Sequence, residues 1–529
     1  MKKISLVLIA GLLLGTMSCQ ESEFTERYAD PAKIAVTTVE KQYSGFLYSN
    51  VEYVLPAYTN YFVALRTSIN HYVQATGWPN ESGQYVPGSS GVESVWYNYY
   101  GFLAQYRELQ KVYAALAPEQ QDARKIFMLT ATVYFYDYTQ RMVDLFGAIP
   151  FSEAGMLSKN GGDYSVSNPK FDTAESIYTT MLDDLKRIAT DLNGITLNSG
   201  YQKSFQTQDF INKGSLPAWK RYTNSLRLRM LNRVSGTDSF KTRASTEMSE
   251  ILGNAATYPV VESNTENIQI NVYDINTNIN SKGFDQGLAS AGWYGNTAGK
   301  KIVDFMSANN DPRLPIIFEP GEKAAGKYIG IDPMATNSVQ TTMFNDGKVA
   351  IYNRYTLSRN QFFPGVLFNA AEISLIKAEY YLRSNNLTAA QTNYEKAIGQ
   401  SVKFYNSVAA MSNATGVNSA PVAATDAQIT AYLAADGVNW DKATTNAAKL
   451  ALIANQKWLH FNVVQPYENW AEVRRLDMPN LSFQTDNANK QTTPPFRWNY
   501  PGNEVTYNTD SYNTVRDKDN LTTKIFWDK

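Results

Sequence analysis

Two kinds of side chain in this sequence could do chemistry: aromatic rings held in glycine-rich loops, and one thiol near the amino terminus. Trp78 and Tyr85 fall in a stretch punctuated by Trp78-Pro79-Asn80-Glu81-Ser82-Gly83 and Pro87-Gly88-Ser89-Ser90-Gly91, and Trp293 and Tyr294 sit between Gly292 and Gly295. Glycine on both sides of a ring favours exposure, and a loop as long as 77–91 is a candidate for function rather than mere connection. A flat apolar face with a polar edge stacks on a sugar ring or on a peptide. These four residues are therefore candidate ligand contacts, with Trp96, Asn98 and Arg354 as an aromatic or polar wall. The competing use of such rings is to plug loops onto a scaffold.

The thiol is Cys19, the only cysteine. It follows Lys2, Lys3 and an apolar run over residues 4–14, and the small residue Ser18 stands directly before it in Thr16-Met17-Ser18-Cys19. A basic start, an apolar core too short to span a membrane as a mature helix, and a small residue at the cut describe an export leader. Thr16 stands where leucine is usual in a lipoprotein leader, so the box is imperfect. The reading is a leader over 1–18, lipid attached to the Cys19 thiol, and a polar, acidic tether over 19–30. A plain secretory signal with an incidental Cys19 is the alternative. A free thiol in an oxidising compartment makes that less attractive. Acylation would leave no thiol for catalysis, disulfides or cysteine-based zinc sites.

Other chemistries have little material. The two histidines, His71 and His460, lie far apart in sequence, too few for a histidine metal site or triad and better suited to packing. With 48 basic against 49 acidic residues the net charge is −1, so nothing electrostatic recruits nucleic acid or anionic lipid. No nucleophile elbow, zinc helix motif or phosphate loop occurs, and no cofactor is expected. Asn/Asp-rich loops could offer oxygens to calcium, but there is no EF-hand loop. Carboxylates are plentiful enough for a hydrolytic pair. The compositional outlier is aromatic: 35 Tyr, 24 Phe and 9 Trp.

The elements that must position these groups read as mainly helical. From about Pro31 to Leu116 the pattern is helical but broken at 77–91. Ile126, Leu129, Val133 and Tyr136 place a helix over 124–146, stopped by Gly147 and Pro150. Asp172-Thr173-Ala174-Glu175 opens another over 171–192, and 216–234 follows. Residues 238–365 are low in helical periodicity, so long loops and short strands are expected there. Trp219, Trp458 and Trp470 lie beside Leu or Ala at helical spacing and read as core. The clearest signal is 368–404, where Phe368, Ala371, Leu375, Ala378 and Leu382, then Leu387, Ala390, Tyr394 and Ala397, recur at three and four across an Asn385-Asn386 turn. Thr388 with Gln391 is the expected capping box of the second helix. Ala378, Tyr381, Ala390, Tyr394 and Ala397 resemble the small and aromatic positions of a tetratricopeptide repeat, although Ser374 and Lys377 depart from its pattern. One repeat cannot bury its own face, so partners are needed. Ala174 and Tyr178 look like the second half of another.

A specific resemblance emerges from ordered blocks. Asp144-Leu145-Phe146-Gly147-Ala148-Ile149-Pro150-Phe151-Ser152-Glu153-Ala154 resembles the Asp-x-Phe-Gly-x-Ile-Pro-Tyr-Ser-Glu-Ala segment of SusD/RagB-type nutrient-binding lipoproteins, with Phe151 for the usual Tyr. Residues 218–229, Asn310-Asp311-Pro312-Arg313-Leu314, Ala371-Glu372-Ile373 with Lys377-Ala378-Glu379, Gln456-Lys457-Trp458-Leu459 with residues 470–475, and Pro495-Phe496-Arg497-Trp498-Asn499-Tyr500-Pro501 with Glu504 and Asn508 follow in the family's order. The resemblance implies an all-α fold over 31–529, one domain, with tetratricopeptide-like helix pairs forming a scaffold and a loop-rich ligand side. It implies an outer-membrane, lipid-anchored protein facing the cell exterior, capturing oligosaccharides or oligopeptides and passing them to a SusC-like TonB-dependent transporter without cleaving them. It carries over no binding residues, because ligand loops are where such relatives differ. Asp144, Arg474 and Arg475, though charged, read as structural pairs at helix ends. Two other classes remain: a secreted helical glycoside hydrolase, which would need two carboxylates across a cleft, and a tetratricopeptide scaffold with no nutrient ligand.

Overall fold

The computed structural model describes residues 37–288, 296–486, 488 and 490–528. Its long helices form where apolar side chains recur every three or four residues. Helix α1 (Val39–Tyr48) buries Val39, Tyr43, Phe46 and Leu47, and the Thr38 hydroxyl caps it by accepting the Lys41 N–H. Helix α2 (Ser89–Ala114) and helix α3 (Pro118–Phe146) pack against α1 and each other. Much of the aromatic excess is spent here: Phe46 stacks on Phe102 with centroids 4.5 Å apart, and Tyr106 on Phe135 at 4.4 Å. Each such ring fully buried contributes about 1.5–3 kcal/mol before entropy is charged against it. Helix α3 begins at Pro118, ahead of the Arg124 expected from periodicity, because its first two turns are polar and present no buried stripe. Proline is tolerated there because the first N–H of a helix has no partner anyway. As expected, it stops at Gly147.

Helix α4 (Ala174–Gly194) is capped by the Thr173 hydroxyl, which accepts from the Ser176 N–H. It packs on helix α5 (Leu216–Val234), which in turn lies on helix α6 (Lys241–Gly253). Residues 238–365 are more helical than their periodicity suggests: besides α6 they hold helices Lys300–Ala308 and Asn337–Asn345. These are short and rich in Ser, Thr, Asn or Lys, and tertiary contacts override the weak local signal. The expected short strands are also present. Strand β1 (Ile149–Pro150) pairs antiparallel with β2 (Phe171–Asp172), β3 (Ile268–Ile270) with β6 (Gly365–Phe368), and β4 (Phe318–Glu319) with β5 (Ile351–Tyr352).

The hairpin read from residues 368–404 is helix α7 (Ala370–Arg383) and helix α8 (Leu387–Ala410). Leu375, Ala378, Leu382, Ala390, Tyr394 and Ala397 form one buried cluster. The far side of that cluster is supplied by Tyr432, Val438, Trp440 and Ile453, so the pair does not stand alone. Two details differ from expectation. Asn386, not Thr388, caps α8 by accepting the Ala389 N–H, because the Asn385-Asn386 turn leads directly into the helix. Leu387 is exposed, since it precedes the first turn's buried face.

Helix α9 (Asn446–Phe461) and helix α10 (Pro466–Leu476) complete a buried charge lattice centred on α5. Arg229 pairs with Asp137 at 3.0 Å and Glu372 at 2.6 Å. Arg233 pairs with Glu472 at 2.9 Å and also with Asp144 and Glu468. Lys457 and Arg475 both bridge Glu379 and Glu472. Arg474 covers the face of Trp470 at 3.7 Å and donates to the carbonyls of Phe496 and Asp144. The charges of this lattice are thus fold-holding, in line with the expectation for Asp144, Arg474 and Arg475. Trp219, Trp458 and Trp470 are core. His460 is enclosed by Ser401 and Asn369. Among the described residues no helix is long and apolar enough to cross a membrane.

Candidate ligand-binding site

The rings that gather at the surface begin on a widened helical turn. Residues Thr59–Leu65 form a π-helix, in which the Arg66 N–H reaches back five residues to the Tyr61 carbonyl at 2.9 Å. Such turns are uncommon and are frequent at functional sites. Tyr58, Phe62 and Arg66, spaced four apart, come to one side of it. Tyr58 and Phe62 stack with centroids 5.0 Å apart and planes 15° from parallel. The Arg66 guanidinium carbon lies 4.2 Å from the Phe62 centroid and 5.1 Å from that of Trp78. The result is a row of four flat groups, Tyr58, Phe62, Arg66 and Trp78. Tyr58 is 43 % exposed and the other three are half-buried. The turn can sit this low because Gly91 of α2 lies beneath it, where a Cβ would fall 2.9 Å from the Val63 carbonyl oxygen.

Trp78 is held by the loop around it. The Gly77 N–H donates to the Thr297 carbonyl at 2.9 Å, and the Thr297 hydroxyl donates back to the Gly77 carbonyl at 2.7 Å. A side chain at position 77 would meet the Ile331 Cβ at 2.6 Å, so glycine is required for this approach. Two residues on, the Asn80 side-chain amide donates to the carbonyls of Pro333 and Ala335 at 2.8 and 2.9 Å, and its backbone N–H donates to Gln340. These bonds tie the Trp78-Pro79-Asn80 segment to the chain at 331–340.

Electrostatically the row is cationic in its middle. Partial burial lowers the Arg66 guanidinium from its ordinary value, with Tyr58 and Glu81 acting the other way. Arginine keeps its charge through such a shift. A cation between two ring faces within about 6 Å is favoured by each ring's quadrupole by about 0.5–2 kcal/mol. Chemically, because Phe62 is stacked between Tyr58 and Arg66, the row offers the outer face of Tyr58, the edges of the rings behind it and a planar donor, groups suited to the C–H face and hydroxyl edge of a pyranose.

The other candidates from sequence fare differently. Tyr85 walls the same narrow cleft as Trp78, with His71, Ile331 and Phe483, but it is only 1 % exposed. Its ring lies parallel to His71 and its hydroxyl donates to the Gln484 carbonyl at 2.7 Å, so it plugs the loop onto the scaffold. The expectation of a ligand-facing ring at Tyr85 is corrected on that ground. The same holds for Trp96, buried at 2 % against Phe146, Tyr100 and Tyr500: it sits on the inner face of α2. Asn98 is spent on Asn50, which accepts from it at 2.8 Å. Arg354 forms an ion pair with Glu319 at 2.9 Å, and that hydrogen-bonded partner raises its guanidinium pKa; it does not join the ring row. Trp293, Tyr294 and Cys19 lie outside the described residues. Tyr58, Phe62 and Arg66 were missed by sequence reasoning, although their spacing of four was available as a signal. Among the described residues no group of three His, Cys, Asp or Glu gathers to hold a metal.

Residues 36–501 match the family model SusD-like_2, described as starch-binding and associating with the outer membrane. No curated protein matches the chain. Among solved structures, a chitin-binding SusD homologue from Flavobacterium johnsoniae is similar with a TM-score of 0.72 at 21% identity, over 92% of this chain and 98% of that one. An outer-membrane protein of Bacteroides vulgatus, linked to nutrient binding, aligns with a TM-score of 0.71 at 20% identity, over 93% of this chain and 100% of that one. A SusD homologue from Bacteroides fragilis aligns with a TM-score of 0.72 at 19% identity, over 93% of this chain and 100% of that one. At these identities the structures establish a shared, largely helical fold.

Proposed function

The chain belongs to the SusD-like family, and from that membership we propose that it is a cell-surface nutrient-binding protein that captures an oligosaccharide and passes it to a SusC-like TonB-dependent transporter. The observation that carries the ligand half of this reading is the row Tyr58, Phe62, Arg66 and Trp78. The outer face of Tyr58 suits stacking on one sugar ring, and the ring edges and the Arg66 guanidinium beside it suit the rim and hydroxyls of the next. Carbohydrate is favoured over peptide because the family model is described as starch-binding and a structural neighbour as chitin-binding. Attachment to the outer membrane through acylated Cys19 accords with a family described as associating with that membrane.

Binding without turnover is part of the proposal. Among the described residues, the acid that bears on Arg66 is the exposed Glu81. A glycosidase needs two carboxyl groups facing each other across the bond it cuts, and the family is one of binding proteins. Calorimetric titration with defined oligosaccharides, each mixture then assayed for shortened products, tests both halves. Saturable heat without products supports the proposal, and product release replaces it with a hydrolase.

A further inference from the structure

A second site is built where α3 ends and α4 begins. A cavity of about 580 Å³ lies there, walled by Gly147, Phe171, Tyr500 and Phe526, floored by Arg497, and lined by Thr173, Ala174 and Glu175 at the first turn of α4. Arg497 is 3 % exposed, yet no carboxylate among the described residues forms an ion pair with it. Its Nε has no hydrogen-bond partner, and the guanidinium is held by the Phe146 carbonyl, which accepts from Nη2, and by the face of Tyr500 at 5.2 Å. A buried cation without a counter-ion is costly, and the fold of the block around residues 495–501 maintains one here.

The neighbouring helix end adds positive potential of its own. Helix α4 is 21 residues long, its axis dipole placing partial positive charge at residues 174–175. Thr173 caps the Ser176 N–H, and the N–H groups of Ala174 and Glu175 make no hydrogen bond among the described residues. Lys518 lines the same cavity and pairs with no acid among the described residues. The lining acid is Glu175, exposed on the rim.

We propose that this cavity binds a small organic anion, its carboxylate seated between the Arg497 guanidinium and the N-terminus of α4, and its apolar body against Phe171, Tyr500 and Phe526. The guanidinium and the helix end supply the charge-assisted donors a carboxylate takes. The aromatic walls are what distinguish the site from one for inorganic anions. Nothing in it depends on Trp78 or on the sugar-binding reading.

The test is calorimetric titration of the purified protein with 3-phenylpropionate, its neutral amide, and sulfate. The acid is expected to bind saturably and at least tenfold more tightly than either comparator. Lys518→Ala, at an exposed position, is expected to weaken the acid several-fold, and Arg497→Gln to abolish binding, with melting curves confirming that both variants fold. Trp78→Ala is expected to leave it unchanged. Equal binding of acid and amide, or no binding of the acid, overturns the proposal. Equal binding of sulfate overturns the assignment of an organic ligand. Full retention in Lys518→Ala and in a folded Arg497→Gln overturns the location.

Discussion

The guanidinium of Arg66 lies 5.1 Å from the centre of the Trp78 ring, joining a widened helical turn to a loop twelve residues farther along the chain. That contact aligns the two parts of the ring row, so each part should matter to binding through the other. Trp78→Ala is expected to weaken oligosaccharide binding by about 1–2 kcal/mol, roughly five- to thirtyfold, and Arg66→Ala by a similar amount. The double variant should lose less than the sum of the two, because both remove one shared contact. A double-mutant cycle by calorimetry reads this directly.

Asn80 positions Trp78 without belonging to the row. Its side chain satisfies the carbonyls of Pro333 and Ala335, so Asn80→Ala leaves both unpaired. A loss of about 1–3 kcal/mol in unfolding free energy is expected, accompanied by weaker sugar binding at temperatures where the protein is still folded. Urea unfolding and titration on the same variant check the two effects.

The helical frame was legible in the sequence because its stripes are strong: Phe368 to Leu382 and Ile126 to Tyr136 are buried where their spacing says they should be. The orientation of loop rings was not. Glycine and proline around Tyr85 announce a loop, but which way the ring turns is settled by contacts distant in sequence, such as Gln484, that periodicity cannot reveal. Trp96, expected in an aromatic wall of the ligand site, lies on the inner stripe of α2, and that place decides its burial. The row itself rests on a π-turn, whose pattern of four resembles an ordinary helix face.

The charge lattice should be intolerant of losing a single member. Glu379 is fully buried and contacts Lys457, Arg475 and Arg383, which together hold its carboxyl well below the usual carboxylate range despite burial. Glu379→Gln strands part of that positive charge and is expected to cost about 3–5 kcal/mol. Chemical denaturation measures it, and sugar affinity of the folded fraction should not change.

Asp144 gives a pH signature of opposite sign. Burial pushes its carboxyl up to about 6, against the pull of Arg233 and the Tyr178 hydrogen bond. Its folded pKa lies above the unfolded one, so the native state binds the proton more tightly. The resulting stabilisation is full below about pH 4 and is lost as pH rises through about 6. Relative to Asp144→Asn, the wild type should therefore lose up to about 3 kcal/mol between pH 4 and pH 7. Parallel unfolding curves of the two proteins at both pH values test the difference, which cancels the opposite trend from Glu379 and Glu472.

The most direct test of the central claim is calorimetric titration of the purified protein with chitooligosaccharides, maltooligosaccharides and oligopeptides, alongside Trp78→Ala and Tyr85→Phe. A sugar series should bind saturably, yield no shortened product, weaken about tenfold in Trp78→Ala, and remain unchanged in Tyr85→Phe, whose ring is a plug rather than a platform. Binding that is indifferent to Trp78, release of shorter sugars, or heat only from peptides would contradict the account.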